Sequence, residues 1–545
     1  MCEIFNWRGV LKRFALPALM ALFCNTAEAA HPFRGSAKWS VILCTFSDSP
    51  APTRTPDFFR NMFLNSGTGG MADYWAEASS GGVNMAGSAV VGWYREGFTQ
   101  AQEVARSRNQ RYQDCIDAAH NASSGAYTPP AGNFVAVVTS PGIDLFGMVG
   151  VGSFLPVDVD LGGMAHEVGH GLGFNHSFSD DPTYRNASWA QIGEYDDPWD
   201  VMSWANAFGK ATSQFGFGPP ATNGFHSDRM GWISMDQIVT FGADGVASRG
   251  ITLKSLHEAG SGTKLIRVPF DPGDLFHYYT VEFRMRSGWD TGIPADTVLI
   301  HEVKKGASDP RGEMISYLLR DRTTRNPVQS LNANGVTIHV DSVNSAARQA
   351  TVTITSNIVD RCVQGFVWRE ANPSDHVCVT PQVRDQTRQD NAQAAARRNP
   401  GGGAFGPDTC RQGFVWREAF SGDHVCVTPD VRTRSSQENG QAAVRRNPAR
   451  LAFGPNACRQ GFVWREADRM DYVCVTGDIR DQARQDNAQA AARRNPGGGA
   501  FGPDTCRAGF VWREAFPNDH VCVTVATRSR ASSDNSQAQS RVQQP

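Results

Sequence analysis

The sequence predicts an α+β protein built in three successive parts, and three observations carry that expectation. Residues 31–240 alternate strand-like with helix-like stretches. Residues 245–358 run as short, alternating strands, and residues 359–545 repeat a cysteine-containing motif every 48 positions. A chain of 545 residues is too long for one core. Its apolar fraction of 40% is ordinary for globular proteins and can fill several.

A short segment precedes all three parts. Lys12 and Arg13 stand before an apolar run from Phe14 to Cys24, followed by the small-residue site Ala27-Glu28-Ala29. A charged start, a short apolar run and an A-x-A site predict a secretory signal peptide over residues 1–29, cleaved near Ala30 or His31. The run is too short to cross a bilayer, and no later segment reaches the roughly 18 continuous apolar residues of a transmembrane helix. The expected location is therefore secreted or extracellular, with periplasm or cell surface as the variants. Without Cys2 and Cys24, ten cysteines remain, an even number suited to a compartment that permits disulfides.

In the first part, "WSVILCTFSD" reads as a buried strand, and "PDFFRNMFLNS" and "MADYWAEASSG" as helices. "VNMAGSAVVGWYR" reads as an extended edge, "TQAQEVARSRNQRYQDCIDAAHNA" as one long amphipathic helix, and "NFVAVVTSP" as another strand. Cys44 and Cys115 are the only cysteines here and are expected to pair, the alternative being two free thiols. In the second part, "HYYTVEFRMR" puts Tyr279, Val281, Phe283 and Met285 on one face and Thr280, Glu282 and Arg284 on the other. Several such strands in succession predict a β-sandwich-like unit.

The third part begins its copies at Cys362, Cys410, Cys458 and Cys506, each followed by a second cysteine sixteen positions later. That symmetry predicts Cys362–Cys378, Cys410–Cys426, Cys458–Cys474 and Cys506–Cys522, disulfides that staple units too small for a thick core. The segments between copies, such as "DNAQAAARRNPGGGAFGPDT", are helix-prone and then Gly/Pro-broken, and read as semi-flexible spacers. Residues 1–359 carry 27 Lys+Arg against 34 Asp+Glu, and residues 360–545 carry 25 against 20, with no lysine after Lys305. So mild a positive balance describes a solvated face and argues against a nucleic-acid partner.

One stretch carries chemistry. "HEVGHGLGFNH" runs from His166 to His176. Positions four apart share a helix face, so His166 and His170 can offer two imidazoles to one ion, with Glu167 beside them. Gly173 permits the sharp turn that would deliver His176 as third ligand. Three neutral nitrogens suit one Zn²⁺ per chain, with a fourth position open for water. Glu167 is then the candidate general base.

H-E-x-x-H-x-x-G-x-x-H followed by a methionine turn resembles the signature of the metzincin zinc metallopeptidases. "EYDDPWDVMSW" supplies Met202, 26 residues after His176. "DVMS", "MADYWAEASSGGVNMAGSAVVGWY" and "YYTVEFRMRSGWD" look most like the gametolysin-like group. The likeness covers roughly residues 38–300. It implies a metzincin-type catalytic domain over 31–240, His166, His170 and His176 as zinc ligands, Glu167 as base, and Met202 as the apolar floor beneath the metal. Some metzincins carry a zinc-binding tyrosine two residues after that methionine. Here Trp204 stands there, which leaves the oxyanion stabiliser unassigned, with Tyr195 as the alternative to an ordinary turn tyrosine.

Asp196, Asp197 and Asp200 are a candidate Ca²⁺ set, against a solvated turn bracing Met202. The leading expectation is an exported zinc endopeptidase acting on protein or peptide substrates. The second is a protein whose repeats bind an envelope or matrix ligand, the peptidase domain being secondary or inactive. Its candidate surfaces are the pairs Trp368-Arg369, Trp416-Arg417, Trp464-Arg465 and Trp512-Arg513.

Overall fold

A computed structural model describes residues 32–306, 313–420, 422–445, 454–459 and 461–543, so the expected signal peptide lies outside the described residues. The fold is mixed α+β, with several sheets and four disulfide-stapled repeats. The first sheet has the strand order Ala89–Arg95, Trp39–Thr45, Phe134–Thr139, Gly152–Pro156, Phe146–Met148, parallel except for its last, antiparallel edge strand.

Alternation along Trp39–Thr45 divides its side chains between two cores. Val41 and Leu43 face the helix Leu161–Leu172, whereas Ile42 and Cys44 face the helix Arg108–His120. There Cys44 and Cys115 form the expected disulfide. The single long helix expected around it is two, Gln100–Val104 and Arg108–His120. Ser107 and Gln110 form a reciprocal capping box that starts a new helix where the pattern alone runs on.

The second part packs a six-stranded sheet on a four-stranded one. Their orders are Ile238–Thr240, Leu265–Pro269, Tyr278–Arg284, Thr297–Lys305, Met314–Leu318, Phe178–Ser179, and Ser248–Lys254, Gln349–Ser356, Val336–Asn344, Ser330–Ala333. Tyr279, Val281, Phe283 and Met285 fill the core between them. The other face of the same strand is equally buried: Thr280, Glu282 and Arg284 turn toward the first part. The reason is that the first part lends Phe178–Ser179 as an edge strand, paired parallel with Tyr317 and Leu318. The first two parts thus share a sheet.

Each repeat is a small hairpin closed by its disulfide, as expected. The helix-prone halves of the segments between copies form helices, Pro381–Arg397, Pro429–Arg445, Gly477–Arg493 and Val525–Arg541, and these are packed elements rather than spacers. They are exchanged between neighbours. Arg397, on the helix after repeat 1, donates to the Cys426 carbonyl of repeat 2. Arg445, after repeat 2, donates to the Cys378 carbonyl of repeat 1. Arg493 and Arg541 link repeats 3 and 4 the same way, through the carbonyls of Cys522 and Cys474.

The Trp-Arg pairs are not exposed surfaces. Arg369, Arg417, Arg465 and Arg513 are buried in bidentate pairs with Asp375, Asp423, Asp471 and Asp519. Trp368, Trp416 and Trp512 stack on His376, His424 and His520.

Repeat 3 departs from this pattern for a visible reason. In repeats 2 and 4 a histidine bonds an aspartate, His424 to Asp408 and His520 to Asp504. The corresponding residues of repeat 3 are Tyr472 and Asn456, two donors aimed outward. Tyr472 Oη donates to the Ile233 carbonyl at 2.7 Å and Asn456 Nδ2 to the Asp228 carbonyl at 2.8 Å. Arg34 adds a bidentate pair with Asp468. Neutral hydrogen bonds contribute about 0.5–1.5 kcal/mol each. The double change Tyr472→His, Asn456→Asp is therefore expected to speed amide hydrogen exchange at residues 228–236. Unchanged protection there would show that these donors do not hold repeat 3 in place.

Candidate metal centre

The site rests on the helix Leu161–Leu172, every residue of which is buried. Asp160 starts it, its carboxylate accepting from Gly163 N, and Gly173 ends it in the left-handed region at φ 107°. That reversal carries the chain back past its own last turn and brings in His176.

His170 Nε2 lies 3.0 Å from His176 Nε2, and one ligand nitrogen from each of His166, His170 and His176 falls within 4.8 Å of the others. Each Nδ1 meets an acceptor. His166 faces the Val201 carbonyl at 3.0 Å, His170 the Phe174 carbonyl at 2.8 Å, and His176 a Glu194 carboxylate oxygen at 2.6 Å. Acceptors at Nδ1 place the proton there and leave Nε2 as a lone pair. Burial, then mutual repulsion with His176, lowers His166 to about 3 and lowers His170 well below its ordinary value, so both are neutral at pH 7.

Two bare nitrogens 3.0 Å apart repel unless a proton or cation lies between them. Nitrogens around a tetrahedral zinc stand about 3.3 Å apart, given metal–nitrogen distances of about 2.0–2.1 Å. The donor set and its spacing fit such an ion.

Glu167 lies beside these rings, where burial pushes its carboxyl up to about 8 against the opposing charge of Arg108. The edge strand Phe146–Met148 passes directly over it. A Cβ on Gly147 would stand 2.8 Å from Glu167 Oε2 and 2.6 Å from His170 Cβ, so only glycine lets the strand approach this closely. Met202 is fully buried beneath the helix, its sulfur packed where a Cβ on Gly169 would be.

The turn bearing Met202 is fixed by buried polar groups. Asp200 accepts from Met202 N at 2.7 Å, Asn223 N at 2.9 Å and His226 Nδ1 at 2.8 Å. Burial alone would raise its pKa, but His226 and the main-chain donors hold it at about 2. Asp197 takes His301 Nε2 at 3.0 Å and Asn223 Nδ2 at 3.1 Å, while Asp196 pairs with Arg320 and Arg325. Asn223 thus bridges Asp197 and Asp200, while Asp196 turns to the two arginines. Among the described residues only two clusters bring three metal-type side chains together. One is the histidine triad, and the other, Cys44, Cys115 and Glu96, is a disulfide beside a buried acid.

Two residues acquire clearer places. Tyr195, at φ 63°, points its hydroxyl to within 3.1 Å of His176 Nε2. Trp204 bonds Asp160 at 3.2 Å and separates two adjoining clefts of about 740 and 520 Å³. The larger is lined by Arg111, Ile143 and Asp158, the smaller by Gly162, Ala207 and Gly218.

Sequence reasoning missed Glu194, Gly147 and the Asp200–His226 pair. Asp160 was missed as well, although an acid directly before an apolar helix is an N-cap signal; Glu194 reaches His176 through a loop with no fixed spacing. No protein-family model, no curated protein and no solved structure matches this chain.

Proposed function

We propose that the chain is an exported zinc endopeptidase of the metzincin type, nearest in its motifs to the gametolysin-like peptidases. The observation that carries this reading is the triad of Nε2 lone pairs, each aimed inward by an acceptor on the opposite ring nitrogen, with a buried glutamate beside it. Zinc bound there supplies Lewis-acid polarisation of a peptide carbonyl and acidifies water.

The chain's own residues do the rest. The edge strand Phe146–Met148 offers an extended peptide a free strand side next to Glu167. Glu167 accepts the proton of the attacking water and returns it to the departing amine. The Tyr195 hydroxyl, beside His176 Nε2, donates to the oxygen on which negative charge develops. Five disulfides favour an oxidising compartment for this work.

Purified protein should carry about one zinc per chain, because three histidines and a water complete one tetrahedral site. It should cleave casein, and a chelator should abolish cleavage. Glu194→Gln removes the carboxylate that orients His176 and should weaken zinc affinity about 10–100-fold. Metal analysis without zinc, or equal affinity in the variant, would refute the assignment.

A further inference from the structure

Repeats 2 and 4 each raise a phenylalanine that the chain leaves uncovered. Phe405 and Phe501 are both 68% exposed, at the tips of matching turns. The turns are rigid. Gly403 and Gly406 exchange two main-chain hydrogen bonds, and Phe405 N donates to Thr409 Oγ1 at 3.1 Å. Gly499, Gly502, Phe501 and Thr505 repeat the arrangement.

Each ring rests edge-on against a tryptophan, Trp416 or Trp512, at 5.3 Å. Repeat 1 has Asn357 at the corresponding position, and its Trp368 is met instead by the turn ending at Gly245. A singly exposed apolar side chain is ordinary on a protein surface; what sets these two apart is that each is held by a hydrogen-bonded turn against a tryptophan, in an uncharged segment that recurs 96 residues on.

We propose that Phe405 and Phe501 are twin insertion tips for an anionic lipid surface. The segments Ala404–Pro407 and Ala500–Pro503 carry no charge, and the glycines beside them put no side chain in the way of a flat surface. Arg411 and Arg507 supply the positive charge at the two bases, their Nε donating to the Arg398 and Arg494 carbonyls, while the Arg398 and Arg494 side chains answer Asp408 and Asp504. The nearest acids are already spent. Asp408 is paired with Arg398 and His424, and Asp504 with Arg494 and His520.

An apolar tip over a cationic base matches the layering of an anionic membrane, acyl chains beneath phosphates. One tip binds weakly, and two on one chain gain through effective concentration when both reach one surface. This inference is independent of the metal centre.

The full chain would be sedimented with phosphatidylcholine vesicles and with vesicles containing phosphatidylglycerol. Binding should require the anionic lipid and weaken with salt. Each Phe→Ala change should cost about tenfold, and the double variant F405A/F501A should no longer sediment. Phe405→Trp should retain binding, and Arg411→Gln with Arg507→Gln should weaken it. Equal binding to neutral vesicles, or undiminished binding by a folded F405A/F501A, overturns the proposal. So does failure to bind either vesicle, which would leave the tips to a protein or glycan partner.

Discussion

Glu167→Ala is expected to keep the fold and the zinc and to lower peptide hydrolysis by about 10²–10⁴ or more, the usual worth of a positioned general base. The separation is possible because Glu167 adjoins the triad without belonging to it. The three imidazoles keep their acceptors at Val201, Phe174 and Glu194 whatever occupies position 167. A mere buried helix residue at 167 would change stability on replacement and leave turnover alone. The assay is hydrolysis of a small peptide by wild type and variant at equal zinc occupancy. Rates within a factor of about three would remove Glu167 from the mechanism.

Arg284→Met should produce the largest loss of stability, about 3–5 kcal/mol, because it strands buried carboxylates. Arg284 is fully buried and bidentate to Asp290, with Glu282 at 3.3 Å and main-chain carbonyls of Ala221 and Thr222 within reach. Typical domains have only about 5–15 kcal/mol to lose. Urea unfolding would measure the change, and a shift under about 1 kcal/mol would show that the network tolerates an uncompensated charge.

The same interface gives stability two pH limits. Asp200 is held down at about 2, so its contribution exists above the ordinary carboxylate range and is lost as pH falls toward that value. For His301, burial would lower the pKa, but Asp197 and Glu282 outweigh it and the net shift is upward. Its contribution is complete below the ordinary histidine value near 6.5 and is lost as pH rises through the raised one. Melting temperature against pH should show an acid limb that Asp200→Asn flattens and an alkaline limb that His301→Asn flattens.

What was legible in the sequence was whatever depends on short spacing. His166 and His170 share a helix face, Gly173 makes the turn, and sixteen-residue intervals set the repeat disulfides. The Cys44–Cys115 pair followed from there being no other choice in its region. Contacts across the sheet left no such trace. Glu194 orients His176 from a loop, and the methionine turn is secured by His226 from a later helix of the same part and by His301 from the neighbouring part. The single long helix failed because a capping box at Ser107 outweighs an amphipathic pattern that continues through it. Apolar alternation along Tyr278–Arg284 located one buried face, while the polar face was buried too, by a sheet that takes a strand from elsewhere.

The exchanged helices also bear on how the array was made. Because repeats 1 and 2 complete each other, as do 3 and 4, the smallest inheritable unit is a couple rather than a single copy. Residues 384–410 and 480–506 differ only at Thr387 and Ala483, whereas the corresponding stretch after repeat 2, residues 432–458, differs from 384–410 at twelve positions. That likeness at a spacing of 96 residues is what copying by couples leaves behind. Arrays of this design should gain and lose modules in even numbers, since an odd one leaves a hairpin without its helix.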